Sequence, residues 1–228
     1  MRRSKALAKL RAGQPVRLCG LGNYVPHFVC HAAHQRFDCI WLDLEHRTMG
    51  QREVQALLAY SHLFDIDIMI RPPTTEKIGL YRYLEDGAAG LMIPHVSTPE
   101  KARELVQAVK FPPLGDRGFD GAGLDSNFLL NSGAQYVKEA NEETFLCVQI
   151  ETPQALDGVD EIASVEGVDC LFIGIADLGL RHTHSQGNRP TTEQVHQRIA
   201  NAAARHGKAW GTPSKTLQDA ADLRDAGA

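Results

Sequence analysis

Asp43 and His46, Arg71, Glu151 and Asp177 stand at or just past the ends of four short apolar runs, at 39–46, 67–71, 145–151 and 170–177. Their types fit divalent-metal chemistry on a carbonyl compound. Two carboxylates suit a hard ion such as Mg²⁺ or Mn²⁺ and leave coordination positions open. A guanidinium can bind a keto-acid and stabilise an enolate oxygen. A histidine beside a carboxylate can move a proton near neutral pH. Each residue also has a plainer reading: Glu151 as a helix cap, Asp177 as a turn former, Arg71 in a strand-end salt bridge, His46 as a structural histidine.

The elements that must position these residues alternate along the chain. Continuous apolar runs at 17–21, 39–44, 67–71, 90–95, 145–151, 170–175 and 208–212 read as strands. Helical periodicity lies between them at 51–62, 76–85, 99–109, 135–140, 153–163 and 192–206, and again at 217–224. Basic residues from Arg2 to Arg11 read as the polar face of a first helix. Thr98-Pro99 and Thr152-Pro153 match an N-cap followed by proline in the first turn. Unbroken apolar strands separated by helices predict a parallel sheet covered on both faces. Seven evenly spaced units predict a (β/α)₈ TIM barrel, one domain over 1–228, lacking the eighth strand and final helix in this chain. Such a barrel exposes two sheet edges, to be completed by further chain or by another subunit. No G-x-G-x-x-G follows the first strand, which argues against a dinucleotide site. The irregular stretch 111–130 is long enough to be functional, and its glycines could cover a ligand with backbone N–H groups.

With 24 Lys and Arg against 28 Asp and Glu, the formal charge is −4, which argues against nucleic acid or an anionic membrane as the main partner. The run of basic residues at the start leads into no apolar run, so no signal peptide is expected. The five cysteines form no C-x-x-C pair, so free, buried thiols and a cytoplasmic location are expected.

The segments 37–46, 71–73, 91–94, 117–118, 148–152 and 165–178, in this order, resemble the HpcH/HpaI family of metal-dependent pyruvate aldolases. The Gln149-Ile-Glu-Thr152 and Gly174-Ile-Ala-Asp-Leu178 elements are the specific ones. The resemblance implies that Glu151 and Asp177 bind Mg²⁺, Mn²⁺ or Co²⁺. Arg71 would contact the keto-acid, and His46 with Asp43 would form an acid/base dyad. Glu85 falls where the family often has Asp near a metal-bound water. The amides of Ala176 and Asp177 would hold the pyruvate carboxylate, and Phe172 would wall the pocket. The implied reaction cleaves or forms 4-hydroxy-2-oxo acids through a pyruvate enolate. Related alternatives are an oxaloacetate decarboxylase, an acyl-CoA lyase, or an inactive barrel kept as a binding subunit. Family members are typically hexamers, so a homo-oligomer is expected. Ile175, Gly179, the polar stretch 181–188 and Trp210-Gly-Thr-Pro-Ser214 depart from the family pattern at the substrate end.

Overall fold

The computed structural model describes residues 1–183 and 189–228, so the polar stretch 181–188 falls outside the described residues over 184–188. In chain order the elements begin α1 (Lys5–Arg11), β1 (Leu18–Leu21), α2 (Pro26–His34), β2 (Cys39–Asp43), α3 (Gln51–Leu63) and β3 (Asp67–Arg71). They continue α4 (Lys77–Glu85), β4 (Gly90–Ile93), α5 (Pro99–Val109), α6 (Ala134–Glu143), β5 (Phe145–Ile150) and α7 (Pro153–Asp157). Then come α8 (Val159–Ala163), β6 (Cys170–Ile173), α9 (Ile175–His182), α10 (Thr192–His206), β7 (Ala209–Gly211) and α11 (Leu217–Asp225). The chain forms two compact units, Met1–Met92 with Leu105–Phe145, and Ile93–Glu104 with Leu146–Ala228.

In the first unit β1, β2, β3 and β4 pair in chain order, all parallel. Ile40, Leu42, Ile68 and Ile70 are fully buried, as continuous apolar strands require when both faces of a parallel sheet are covered. The register sets Asp43 opposite Arg71. Phe145 N–H donates to Ala89 O at 3.1 Å. Its ring lies 2.5 Å from where a Cβ at Gly90 would sit, so only glycine admits it. Helix α3 buries Val54, Leu57, Leu58 and Ser61, the i, i+3, i+4, i+7 stripe of an amphipathic helix. At the amino end of β3 the buried Asp67 accepts Ser4 Oγ at 2.7 Å and Ala6 N–H at 2.8 Å, and it pairs with Arg2. Ser4 also caps α1 through Leu7 N–H at 3.0 Å. This acid pins the first helix to the sheet.

In the second unit β5, β6 and β7 are parallel and again in chain order. Every residue of β5 and β6 is buried. Asp169 accepts Leu146 N–H at 2.8 Å at the amino ends of these strands. Gly158 ends α7 and begins α8, splitting the helix read over 153–163. Helix α10 opens with a Thr191–Gln194 capping box and ends on Gly207 at φ 63°, a conformation that glycine adopts without strain.

The fold class read from the sequence holds: seven parallel strands alternate with helices in the (β/α) barrel pattern, without an eighth strand among the described residues. All five cysteines are free, and Cys39, Cys147 and Cys170 are buried. No helix among the described residues is long and apolar enough to cross a membrane. Two helices differ from the expectation. Helix α2 has no counterpart among the helices expected from the sequence, because its polar histidines blur the periodicity. The apolar run read as strand over 170–175 stops at Ile173. Gly174 turns the chain with φ −82°, ψ 71° and α9 begins at Ile175. Asp177 therefore sits in the first turn of a helix and does not close a strand.

Candidate active site

In the first unit the strand register brings Arg71 against Asp43. Arg71 Nε donates to Asp43 Oδ1 at 3.0 Å, Nη2 lies 2.9 Å from Oδ2, and Nη1 lies 3.1 Å from Glu45 Oε2. The guanidinium also stacks over the Trp41 ring, 4.7 Å from its centroid. This fork geometry is one that only arginine supplies. Burial pushes the Asp43 carboxyl up, but Arg71 and the amides of His46 and Glu45 outweigh it and hold the group below its ordinary range.

The expected His46–Asp43 dyad takes a different form. Asp43 Oδ1 accepts the backbone N–H groups of Glu45 (3.1 Å) and His46 (3.4 Å), closing the turn after β2. That turn carries the His46 ring toward Glu45, with Nε2 3.5 Å from Oε2, and leaves the side chain 56% exposed. The carboxylate beside the imidazole is thus Glu45, and Asp43 belongs to Arg71.

Glu85 closes α4, and its carbonyl accepts Asp125 N–H at 3.3 Å. Burial raises its pKa, Arg117 opposes, and Asp125, Asp120 and Asp86 raise it further. Its electrostatic company is the loop at 111–130. A raised native pKa means that ionisation costs stability once pH exceeds the unfolded carboxylate value of about 4.3. Glu85→Gln is therefore expected to raise the thermal midpoint at pH 7 relative to wild type. The gain should vanish below about pH 4, where both states of the wild type are protonated. A pH-independent difference would refute this electrostatic account.

The same loop is held by a buried triad that the sequence reading missed. Arg117 Nη2 donates to Asp125 Oδ2 at 2.9 Å and to Tyr136 Oη at 3.2 Å, and Tyr136 Oη donates to Asp125 Oδ2 at 2.6 Å. The guanidinium also lies over Phe111, 4.5 Å from its centroid.

In the second unit Glu151 follows β5 and is 2% exposed. His95 N–H donates to its Oε1 at 2.7 Å, the His95 ring Nδ1 lies 2.7 Å from the same oxygen, and Gln149 Nε2 donates to Oε2 at 2.9 Å. His95 reaches Glu151 from a left-handed backbone, φ 58°. Arg181 Nη1 donates to the Glu151 carbonyl at 2.8 Å, and its Nη2 lies 3.7 Å from Asp177 Oδ1. A Cβ at Gly174 would stand 2.6 Å from Glu151 Cβ and 2.8 Å from Oε2, so this glycine makes room for the carboxylate. No side chain caps α9. Its first-turn amides, those of Ala176 and Asp177 among them, point where an anion is favoured. Phe172, buried on β6, lies opposite Gln149 in the register.

Glu151 and Asp177 lie in the same unit and are hard oxygen donors, the type that suits a divalent ion with open positions. Among the described residues no group of three or more His, Cys, Asp and Glu is arranged to hold a metal. Of the residues missed, Gln149 had a signal: it lies two positions before Glu151, on the same side of an extended segment. Arg181 had none beyond its polarity; His95 is no such omission, because it ends the apolar run at 90–95, from which a polar residue can reach a pocket.

A parallel strand–helix chain with its polar residues after the carboxyl ends of strands is a (β/α)-barrel protein of the enzyme type. The model of the HpcH/HpaI aldolase/citrate lyase family matches residues 22–228, and the chain belongs to that family. It is 38% identical over 175 residues to a hydroxypyruvate/pyruvate aldolase of Deinococcus radiodurans, covering 77% of this chain and 63% of that protein. It is 34% identical over 212 residues to a pyruvate aldolase of Rhizobium etli, covering 92% and 80%. The solved structure of an HpcH/HpaI aldolase from Desulfitobacterium hafniense superposes with a TM-score of 0.89 at 30% identity, over 97% of this chain and 86% of that one. The chain thus spans less than two thirds of the length of the Deinococcus relative.

Proposed function

We propose that this chain is a divalent-metal-dependent aldolase that cleaves or forms 4-hydroxy-2-oxo acids through the enolate of pyruvate. The observation that carries the reading is the buried Glu151 carboxylate after β5, seated against Gly174 and followed in the same unit by Asp177. His95 and Gln149 hold the buried Glu151 carboxylate, which offsets the cost of burying it and fixes it as an oxygen donor for an ion. Glu151 and Asp177 hold the metal, Mg²⁺, Mn²⁺ or Co²⁺. The ion, when bound, supplies Lewis-acid stabilisation of negative charge on the keto oxygen.

The other roles fall to the chain's own groups. The uncapped amides of Ala176 and Asp177 take the substrate carboxylate. Arg71, already oriented by Asp43, Glu45 and Trp41, places positive charge at the developing oxyanion. His46 moves the proton of the 4-hydroxyl, with Glu45 as its carboxylate neighbour. Phe172 supplies an apolar wall, and Glu85 orders water for proton transfer. Assembly as a homo-oligomer is part of the same proposal and is read by sedimentation.

The test is pyruvate methyl-proton exchange, followed by NMR in D₂O, and pyruvate release from 4-hydroxy-2-oxo acids. Both should fall to background after chelation and return with Mg²⁺, Mn²⁺ or Co²⁺. Full exchange after complete metal removal would overturn the metal assignment. Arg71→Ala should keep wild-type metal affinity and lose about 10²–10³ in turnover, the usual cost of one oxyanion donor. Retained turnover in that variant removes Arg71 from the mechanism.

A further inference from the structure

We propose that His27 and His31 form a second metal site on the surface of α2, selective for divalent ions of borderline softness such as Zn²⁺, Ni²⁺ and Cu²⁺. The two residues are four apart on one helix, so their side chains leave the same face one turn apart. Their ring centroids lie 6.1 Å apart at an interplanar angle of 87°. Both residues are exposed, and neither ring makes a hydrogen bond or ion pair among the described residues. Exposed side chains change rotamer readily, so both rings can turn from edge-on packing until one nitrogen of each faces a common point. The i, i+4 spacing is the one by which two histidines on a helix share an ion. Half-buried Cys30 and exposed His34 stand three and seven positions after His27, but no group of three such residues among those described is arranged to hold a metal, so the site is the two-histidine chelate alone.

The chemistry separates this site from the carboxylate pair. Imidazole prefers Zn²⁺, Ni²⁺ and Cu²⁺, whereas carboxylate oxygens suit Mg²⁺ and Mn²⁺. None of the residues assigned to the aldolase site lies on α2. The proposal therefore stands whether or not the aldolase reading does.

Calorimetric titration of Ni²⁺ into untagged protein, in excess Mg²⁺ to fill the carboxylate site, tests it. One Ni²⁺ per chain is expected. His27→Ala and His31→Ala should each weaken binding about tenfold or more, because either change destroys the chelate. Asp177→Asn should bind Ni²⁺ like the wild type. Circular dichroism establishes that each variant is folded, as substitution at an exposed position predicts. Wild-type affinity in both histidine variants overturns the site, and so does a loss confined to Cys30→Ser, His34→Ala or Asp177→Asn.

Discussion

Glu151→Gln is expected to lose divalent-ion affinity by well over the ~100-fold that loss of an outer-shell partner can cost, and turnover with it. The substitution keeps the side-chain shape in a position closed by Gly174, where even an added methyl group would collide. It also leaves an amide oxygen to accept from His95 N–H, which now donates to Oε1 at 2.7 Å. The change is therefore one of charge and donor strength, and the fold should persist. Asp177→Asn should act in the same direction. Mn²⁺ binding followed by electron paramagnetic resonance reads both variants without needing the physiological substrate. Wild-type Mn²⁺ affinity in Glu151→Gln would remove this residue from the metal site, whatever the activity assay gave.

The largest expected loss of stability comes from Asp125→Ala. Arg117 and Asp125 side chains are each 1% exposed and 2.9 Å apart. Removing one member of a buried pair strands the other charge, at about 3–5 kcal/mol. Tyr136 loses its acceptor in the same step; burial and Asp125 both push its hydroxyl pKa up, with Arg117 opposing. Tyr136→Phe, which deletes one hydrogen bond and keeps the ring, should cost only about 1 kcal/mol. The control is Asp116→Ala in the same loop, where the acid is 77% exposed and the change should stay within about 0.5 kcal/mol. Urea midpoints rank the three variants. Equal midpoints for Asp125→Ala and Asp116→Ala would mean that the triad does not hold the loop.

Most of the fold was legible because its strands are continuous apolar runs with polar stops. The segments at 39–44, 67–71 and 145–151 became β2, β3 and β5 with at most one residue of change. Where the signal failed, a local competitor was responsible. Gly174 interrupts an apolar run that reads as one strand, and helix α9 begins one residue later. Helix α2 interleaves His27, His31 and His34 with Phe28, Val29, Cys30, Ala32 and Ala33 over only nine residues, so its period is faint. The spacing of four between His27 and His31 is nonetheless visible in the sequence.

Acids at the two ends of the strands show the other boundary. Asp67 and Asp169 precede or open apolar runs and bind backbone and helix at the amino ends. Glu151 follows such a run and is the metal candidate. Position relative to the run separates these roles, and the sequence contains it. The sequence alone therefore determined the alternating parallel architecture, the family and the identity of the strand-end polar residues, because hydrophobic continuity and motif order are one-dimensional properties.

Which carboxylate faces which basic side chain was decided only by tertiary structure. Strand register gave Asp43 to Arg71, and the turn after β2 set Glu45 between Arg71 and His46. The left-handed backbone at His95 delivered its amide and ring to Glu151. Such pairings depend on distances of about 3 Å between side chains, and those distances are set by how strands and turns pack, not by the order of residues along the chain.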